Sequence, residues 1–201
     1  MATPESPIDE YGCGNGCEWR WDKRRARRFV VSYHVAEESV AVFEPPRPNS
    51  GVLGGKWLEK TRLVRSSSPS QVVAKSQGHI IERDLWVGAR IPVLGRELVL
   101  LRADEFTLAH MERGGHEHAD PGRAVAQLRA ALQDPAVVRR LRAALPLHDP
   151  LTAEALGTAV ASESTGLSAH QGIAVFRHVR ARVPGDAPVT TACVLESVLM
   201  Q

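Results

Sequence analysis

Two stretches of the chain decide its fold: residues 27–60, RRFVVSYHVAEESVAVFEPPRPNSGVLGGKWLEK, and residues 84–112, DLWVGARIPVLGRELVLLRADEFTLAHME. Both alternate apolar and polar residues between turn-forming residues, which is the pattern of half-buried β-strands. Their glycines and prolines stand where turns need special backbone angles. Neither stretch contains a nucleophile, base and acid in a catalytic arrangement. They therefore predict a small β-domain that acts as a binding module rather than an enzyme, and no cofactor is expected.

The alternation predicts antiparallel strands separated by an ordered, proline- and glycine-rich loop and by a serine-rich insertion over 66–77. The predicted strands cover 29–34, 39–43, 56–64, 90–94 and 97–101. After Asp104 the apolar period becomes helical, so a helix is expected to close the domain and to stop at Gly114 and Gly115. Asp104 and Glu105 are adjacent and would project in different directions, which argues against an acid/base pair.

Beyond the linker the composition becomes rich in Ala, Leu and Arg, which favours helices. The predicted helices are 124–132, 136–145, 152–162, 168–182 and a short one after Pro188. The expected fold class is α+β, with a small antiparallel β-domain followed by a helical domain. The predicted divisions are an extended arm (1–22), the β-domain (23–113), a linker (114–123) and the helical domain (124–201).

Composition describes a globular protein, with 43% hydrophobic and 24% charged residues. The chain has no run of about 18 apolar residues, and its N-terminal residues lack a basic-then-apolar signal. Neither a membrane partner nor secretion is supported, and an intracellular site is expected. Three cysteines do not make the even framework of a disulfide-stapled domain, so reduced thiols are expected.

Basic residues cluster just before the first strand, although the formal net charge is only +2. A solvated lead-in is the favoured interpretation, and contact with an acidic protein surface is the second. Nucleic acid is disfavoured because only Trp19 and Trp21 supply nearby aromatic rings. These two rings would share one face of an extended arm and dock onto the chain's own core or into a partner's groove, the former being favoured. The basic cluster consists of Lys23, Arg24, Arg25, Arg27 and Arg28.

The segment Gly51–Lys56 superficially suggests a phosphate-binding loop. Three residues separate Gly51 from Gly55 where four are needed, and Trp57 follows Lys56 where Ser or Thr is needed. The segment also leads into a strand, so no helix N-terminus would face an anion. No small-molecule substrate is therefore predicted.

Metal sites are weakly indicated. A zinc site would need Cys13 and Cys17 together with His116 and His118, but a histidine pair in a glycine-rich linker is usually solvated. Cys193 is expected to be a buried small apolar residue. The helices around 183–192 suggest a calcium loop, but Asp186 is the one carboxylate there, which argues against calcium.

The ordered motifs in the two stretches resemble the DM-10 domain, and most closely the last such domain of the myoclonin family of EF-hand-containing ciliary proteins. The motifs are Phe29-Val-Val-Ser-Tyr, Ser39-Val-Ala-Val-Phe-Glu-Pro-Pro, Asn49-Ser-Gly, Gly54-Gly-Lys, Leu58-Glu-Lys, Asp84-Leu, Val87-Gly and Ala103-Asp-Glu-Phe-Thr. The resemblance implies a β-barrel of pleckstrin-homology-like shape with a closing helix. It also implies a set of structural residues: Phe43, Pro45, Pro46, Asn49, Ser50, Gly51, Gly54, Gly55, Asp84, Gly88, Asp104 and Phe106.

Proteins of this family line the inside of ciliary doublet microtubules, and one relative is a nucleoside diphosphate kinase. This chain departs from the family by having no tandem repeat of the domain. It also lacks a kinase domain, and its helical tail resembles a degenerate EF-hand without calcium ligands.

The resemblance predicts a non-enzymatic microtubule inner protein of the ciliary or flagellar axoneme. In this hypothesis it binds tubulin and other inner proteins in the doublet lumen and stabilises the lattice. The candidate contacts are Trp19, Trp21, Arg24, Arg25, Arg27 and Arg28. One alternative is a soluble ciliary regulatory or calcium-responsive adaptor, and another is a metal-dependent enzyme built on the zinc ligands above.

Overall fold

The computed structural model describes residues 2–4, 27–49, 51, 53–65, 78–163 and 165–200. The chain divides into two compact units. The first comprises Met1–Leu85 and Ala89–Arg102, and the second comprises Trp86–Gly88 and Ala103–Gln201. Strands dominate the first unit and helices the second, which confirms the predicted α+β class.

The described residues of the first unit form two antiparallel sheets of three strands each. In one sheet β3 lies between β2 and β4, and in the other β6 lies between β1 and β5. The strands are β1 (Ala2–Pro4), β2 (Val30–His34), β3 (Ser39–Glu44), β4 (Gly55–Thr61), β5 (Arg90–Val93) and β6 (Arg96–Leu100). Strands β2 to β6 confirm the five predicted strands, with β4 ending earlier than expected.

Strand β1 was not predicted, since its residues were assigned to the arm. They pair in antiparallel fashion with Leu98–Leu100 of β6. A segment this short carries no readable apolar period, and its partner lies far along the chain. Local sequence therefore gave no sign of the pairing.

The core of the first unit follows the alternation of its strands. In β2, Val31 and Tyr33 are half-buried while Val30 and His34 are exposed, as the period of two requires. The described apolar core cluster consists of Phe29, Val40, Val42, Leu63, Ile80, Ile91, Val93 and Leu98. Closure of the two sheets into a barrel stays a prediction.

The predicted serine-rich insertion lies outside the described residues, but the structure describes the chain on both sides of it. Val64 and His79 form an antiparallel bridge. Beside the bridge, Ile80 N donates to Leu63 O at 2.8 Å and Arg65 N donates to Gly78 O at 2.8 Å. The chain on one side of the insertion is thus held to the chain on the other side by hydrogen bonds.

Helices of the second unit begin at side-chain caps. The helices are α1 (Glu105–Arg113), α2 (Pro121–Ala131), α3 (Pro135–Ala144), α4 (Ala153–Ser162), α5 (Ala169–Arg180) and α6 (Thr191–Leu199). Asp104, Asp120, Asp134, Thr152, Ser168 and Thr190 each accept a hydrogen bond from a backbone N–H in the first turn. These bonds satisfy donors that the helix itself leaves unpaired. All six predicted helices are confirmed.

Two boundaries differ from those drawn from the sequence. Helix α2 begins at Pro121, inside the predicted linker, because Asp120 caps it and proline fits the first helical position. Helix α1 belongs to the second unit, whereas the sequence placed it with the strands as a closing helix. The predicted domain limits otherwise stay predictions.

Helix α5 is the central helix of the second unit, and residues 170–175 are all buried. It crosses α4 closely where two glycines meet. A Cβ atom on Gly172 would lie 2.5 Å from Val160 Cγ2 and 2.7 Å from Gly157 Cα. Only glycine lets the two backbones approach this far, because any side chain would need the same space.

Candidate binding surface

The loop between β3 and β4 has a backbone shape that few residues can adopt. Asn49 has φ 57°, Gly51 has φ 72° and Gly54 has φ 74°, all in the left-handed region. A Cβ atom on Gly54 would lie 2.6 Å from both Glu44 O and Pro46 N. The sequence predicts that residues of this loop are required by the backbone conformation, and the positive φ angles at these three positions confirm that prediction.

A partly buried ion pair holds the start of this loop to the segment before β2. Arg27 Nε donates to Glu44 Oε1 at 2.8 Å, and its Nη2 donates to Oε2 at 2.5 Å. The Arg27 guanidinium also lies 5.1 Å from the centre of the Phe29 ring. The hydrogen bonds from Arg27 lower the pKa of Glu44 and raise that of Arg27. Arg27, predicted as a partner contact, thus has an intramolecular partner.

Arg28 is exposed, and the described residues offer it no ion pair, so it remains available as a candidate contact. The other predicted contacts lie outside the described residues: Trp19, Trp21, Arg24 and Arg25. Their contact role stays a prediction. The partner of Arg27 was missed by sequence reasoning because Glu44 lies 17 residues away at the end of β3, and no local signal connects the two residues.

An apolar and cationic row crosses the outer face of the β2–β3–β4 sheet. Val30 pairs with Phe43 across β2 and β3, and Phe43 pairs with Lys56 across β3 and β4. Val30 is 38% exposed and Phe43 43%. The Lys56 side chain is 75% exposed and makes a 3.4 Å contact with Glu59. This exposed row, defined as Val30, Phe43 and Lys56, is a surface suited to contact with another protein.

Family-motif residues of the β3–β4 segment are exposed or half-buried in the part of the chain that the structure describes. Phe43 belongs to the exposed row, Pro45 is half-buried and Pro46 is exposed. Gly55, with φ 129°, pairs with Glu44 at the start of β4. Ser50 lies outside the described residues.

The remaining motif residues act in turns and caps, with one exception. Asp84 accepts from Ile81 N at 2.9 Å and from Arg65 at 2.5 Å, closing a tight turn. Gly88 has φ 102°, and Asp104 caps α1 through a 2.7 Å bond from Thr107 N. The hydrogen bond with the Thr107 side chain, and then that with its backbone, lowers the pKa of Asp104. The exception is Phe106, which is 75% exposed and contributes little to a core.

A group of histidines surrounds Trp86–Gly88 in the second unit. His118 stacks on Trp86, with ring centroids 4.1 Å apart and planes at 17°. Val87 N donates to Nδ1 of His170 at 3.1 Å. His116 is buried, so the expectation that His116 and His118 are solvated is wrong. Packing of the turn before α2 buries His116 and leaves His118 half-buried, which their glycine-rich neighbourhood did not indicate.

His170 is neutral at physiological pH. Burial, followed by the nearby His118, His116 and Arg177, lowers its pKa from 6.5 to about 4. An Nδ1 that accepts a hydrogen bond cannot carry a proton, so geometry and electrostatics agree. Burial also lowers the pKa of His118. Sequence reasoning missed His170. The structure identifies it by its position in α5, where residues 170–175 are all buried.

Arg177 links α1 to α5. Its Nε donates to Glu112 Oε1 at 2.5 Å, and its Nη1 donates to Glu105 Oε1 at 2.5 Å. The two carboxylates raise the pKa of Arg177 above its ordinary value. Glu105 therefore serves a structural pair with Arg177, while the neighbouring Asp104 caps α1, so the two carboxylates have separate partners. The sequence alone did not indicate this link.

Metal binding finds little support in the described part of the chain. No group of three or more His, Cys, Asp or Glu side chains there is placed to hold a metal ion. Cys13 and Cys17 lie outside the described residues, so the zinc hypothesis is untested. Cys193 is half-buried rather than fully buried: it packs against the helical core from the first turn of α6, and its Sγ accepts a hydrogen bond from Thr190 Oγ1. Among the described residues, no helix is long and apolar enough to cross a membrane.

Residues 16–107 match the family model described as the DM10 domain. The chain is 36% identical to EF-hand domain-containing protein 1 of Mus musculus over 135 residues, which are 67% of this chain and 18% of that protein. It is 39% identical to EF-hand domain-containing family member C2 of Danio rerio over 101 residues, 49% of this chain and 12% of that protein. The Bos taurus member C2 is 43% identical over 89 residues, 43% of this chain and 12% of that protein. The chain spans less than a fifth of these relatives.

Proposed function

Since this chain carries a DM10 domain over residues 16–107, we propose that it is a non-enzymatic structural component of ciliary or flagellar axonemes. In this proposal it binds tubulin inside doublet microtubules, beside other inner proteins, and stabilises the lattice. The DM10 match is the observation that carries the proposal, because the resemblance described above connects such domains with the doublet lumen. The match is not to a family known for catalysis.

Surface complementarity is the proposed mechanism. The exposed row offers two apolar side chains and one cation in fixed positions, because cross-strand pairing sets their spacing. The constrained loop that precedes β4 adds Leu53, which is 93% exposed. Rigid contacts lose little conformational entropy on binding, and contacts repeated along a filament add by avidity.

Arginines before β2 supply the electrostatic part of the proposal. Arg28 is exposed, and Arg24 and Arg25 are its neighbours in sequence. Cations of this kind would increase the rate of association with an acidic tubulin surface, and salt would weaken the effect. Arg27 contributes less, because Glu44 already neutralises it.

Cosedimentation with ciliary doublet microtubules tests the proposal. The wild-type chain should pellet with doublets, and Phe43→Ser should weaken binding by removing the centre of the exposed row. Leu94→Asn is the matched control: Leu94 is 62% exposed in the β5–β6 turn, with φ 50°, which asparagine tolerates. Failure of the wild-type chain to bind doublets at any salt concentration would remove the proposal. If both variants bind doublets equally well, the exposed row is not part of the binding surface.

A calcium-responsive adaptor is the rival function, and the helical unit gives it no support. The loop between α3 and α4, residues 145–152, contains Asp149 as its one carboxylate, and the loop between α5 and α6, residues 181–190, contains Asp186. An EF-hand loop has twelve residues, several oxygen ligands and a terminal bidentate glutamate. The length and the few carboxylates of these two loops therefore do not fit a calcium ion.

A further inference from the structure

Two helix–loop–helix segments of the second unit are joined at their loops. The first is α3 and α4 with residues 145–152 between them, and the second is α5 and α6 with residues 181–190 between them. Leu151 N donates to Val189 O at 2.8 Å. Thr191 Oγ1 donates to Pro146 O at 2.9 Å. The loops thus support each other through direct hydrogen bonds.

The second loop is also bound by a cation that belongs to the chain. Arg180, the last residue of α5, donates from Nη2 to Gly185 O at 2.8 Å and from Nη1 to Ala187 O. A guanidinium at a helix C-terminus is favoured by the helix dipole. Its fork of donors can hold two carbonyl oxygens at once, which a point charge on a lysine does less well.

In a calcium-binding loop of this type, a metal ion gathers the loop's oxygen atoms. The loop at 181–190 has the single carboxylate Asp186, while Arg180 holds two of its carbonyl oxygens. We propose that Arg180 replaces the loop-bound metal ion, so that the helical unit keeps one conformation whether or not calcium is present. This inference concerns the helical unit alone and is independent of the microtubule role.

The full chain provides the first test. An ion that binds the folded state raises the melting temperature by mass action. Thermal unfolding of the wild-type chain should therefore give the same midpoint in millimolar calcium chloride and in excess EGTA. A calcium-dependent rise in the midpoint would overturn the proposal.

Amide hydrogen exchange of Arg180→Gln provides the second test. Loss of the charged donors should speed exchange in residues 183–190 by about tenfold or more, as expected for loss of a charge-assisted hydrogen bond. Calcium should not restore protection. Arg182→Gln is the matched control, because Arg182 donates to His178 O within its own helix end and does not reach the loop carbonyls.

Arg180→Lys separates the role of the positive charge from that of the forked guanidinium donors. It keeps the charge, and it should restore only part of the protection of the loop against amide exchange. If Arg180→Gln and Arg182→Gln exchange alike in residues 183–190, the proposal is wrong. It is equally wrong if calcium slows exchange in either the wild-type chain or Arg180→Gln. If Arg180→Gln does not fold, Arg180→Lys takes its place. Its amide exchange rates in residues 183–190 are then compared with those of Arg182→Gln, with the same outcomes.

Discussion

The backbone N–H of Val87 donates to Nδ1 of the buried His170 at 3.1 Å. This bond holds Trp86–Gly88 within the second unit, although the neighbouring residues on both sides belong to the first. It requires the neutral imidazole, because a protonated Nδ1 would present a hydrogen where an acceptor is needed. Stability of the second unit should therefore depend on pH.

Acid should destabilise the chain through His170. Its pKa is about 4 in the folded state and near 6.5 when unfolded, so between these values the unfolded chain binds a proton that the folded chain does not. The free energy of unfolding should then fall by about 2 kcal/mol from pH 7 to pH 5 and level off below about pH 4. Urea unfolding at a series of pH values measures this change.

His170→Asn is the control for the pH effect. Asparagine offers an oxygen to Val87 N but does not titrate, so the slope between pH 5 and pH 7 should become much flatter. A residual slope is expected from His118, whose pKa is also lowered by burial. An unchanged slope in this variant would show that other groups cause the acid sensitivity.

Gly54→Ala should destabilise the first unit strongly. The new Cβ would collide with the backbone of Glu44 and Pro46 at 2.6 Å, in addition to the strain of φ 74°. Gly51→Ala has similar strain, with φ 72°, but its Cβ would meet no atom within 4 Å. Denaturant unfolding should give a cost of about 1 kcal/mol for Gly51→Ala and distinctly more for Gly54→Ala. Equal costs would mean that the loop relaxes and that the close approach is unimportant.

Gly172→Ala should destabilise the second unit, although alanine is the better helix former. Its Cβ would lie 2.5 Å from Val160 Cγ2 and 2.7 Å from Gly157 Cα, so α4 and α5 must move apart. Overpacking of this kind costs about 1–3 kcal/mol, which outweighs a propensity gain of about 1 kcal/mol. Gly122→Ala in α2 is the comparison, since its nearest neighbour is Asp120 Oδ1 at 3.4 Å. Thermal unfolding should rank Gly122→Ala above wild type and Gly172→Ala below it.

Cys193 should be alkylated at lower pH than an ordinary cysteine. The hydrogen bond with the Thr190 side chain, and then that with its backbone, lowers the pKa of the thiol. In a Cys13→Ser, Cys17→Ser background, the iodoacetamide rate should reach half its maximum below the pH at which a free thiol does so. Thr190→Val should move that pH upward, and Thr190→Ser should keep it. No difference between these two variants would contradict the role of Thr190.

Sequence reasoning succeeded where structure is decided by neighbours along the chain. Asp104, Thr152 and Ser168 cap helices that were predicted to begin at or just after these residues. The alternation in residues 29–34 sets which side chains of β2 are exposed, because the period of a strand is a local property. For the same reason the left-handed angles at Asn49 and Gly54 were expected.

Tertiary structure decided what depends on distant partners. The burial of His116, the link from Arg177 to Glu105 and the pairing of Arg27 with Glu44 join residues far apart in sequence. Charged and histidine side chains have similar local sequence contexts whether they are solvated or buried, so their state follows from what packs against them. The sequence by itself thus determined the likeness of residues 16–107 to the DM10 domain, the α+β class and most strands and helices. Packing alone decided which of those elements meet and which side chains remain on the surface for a partner.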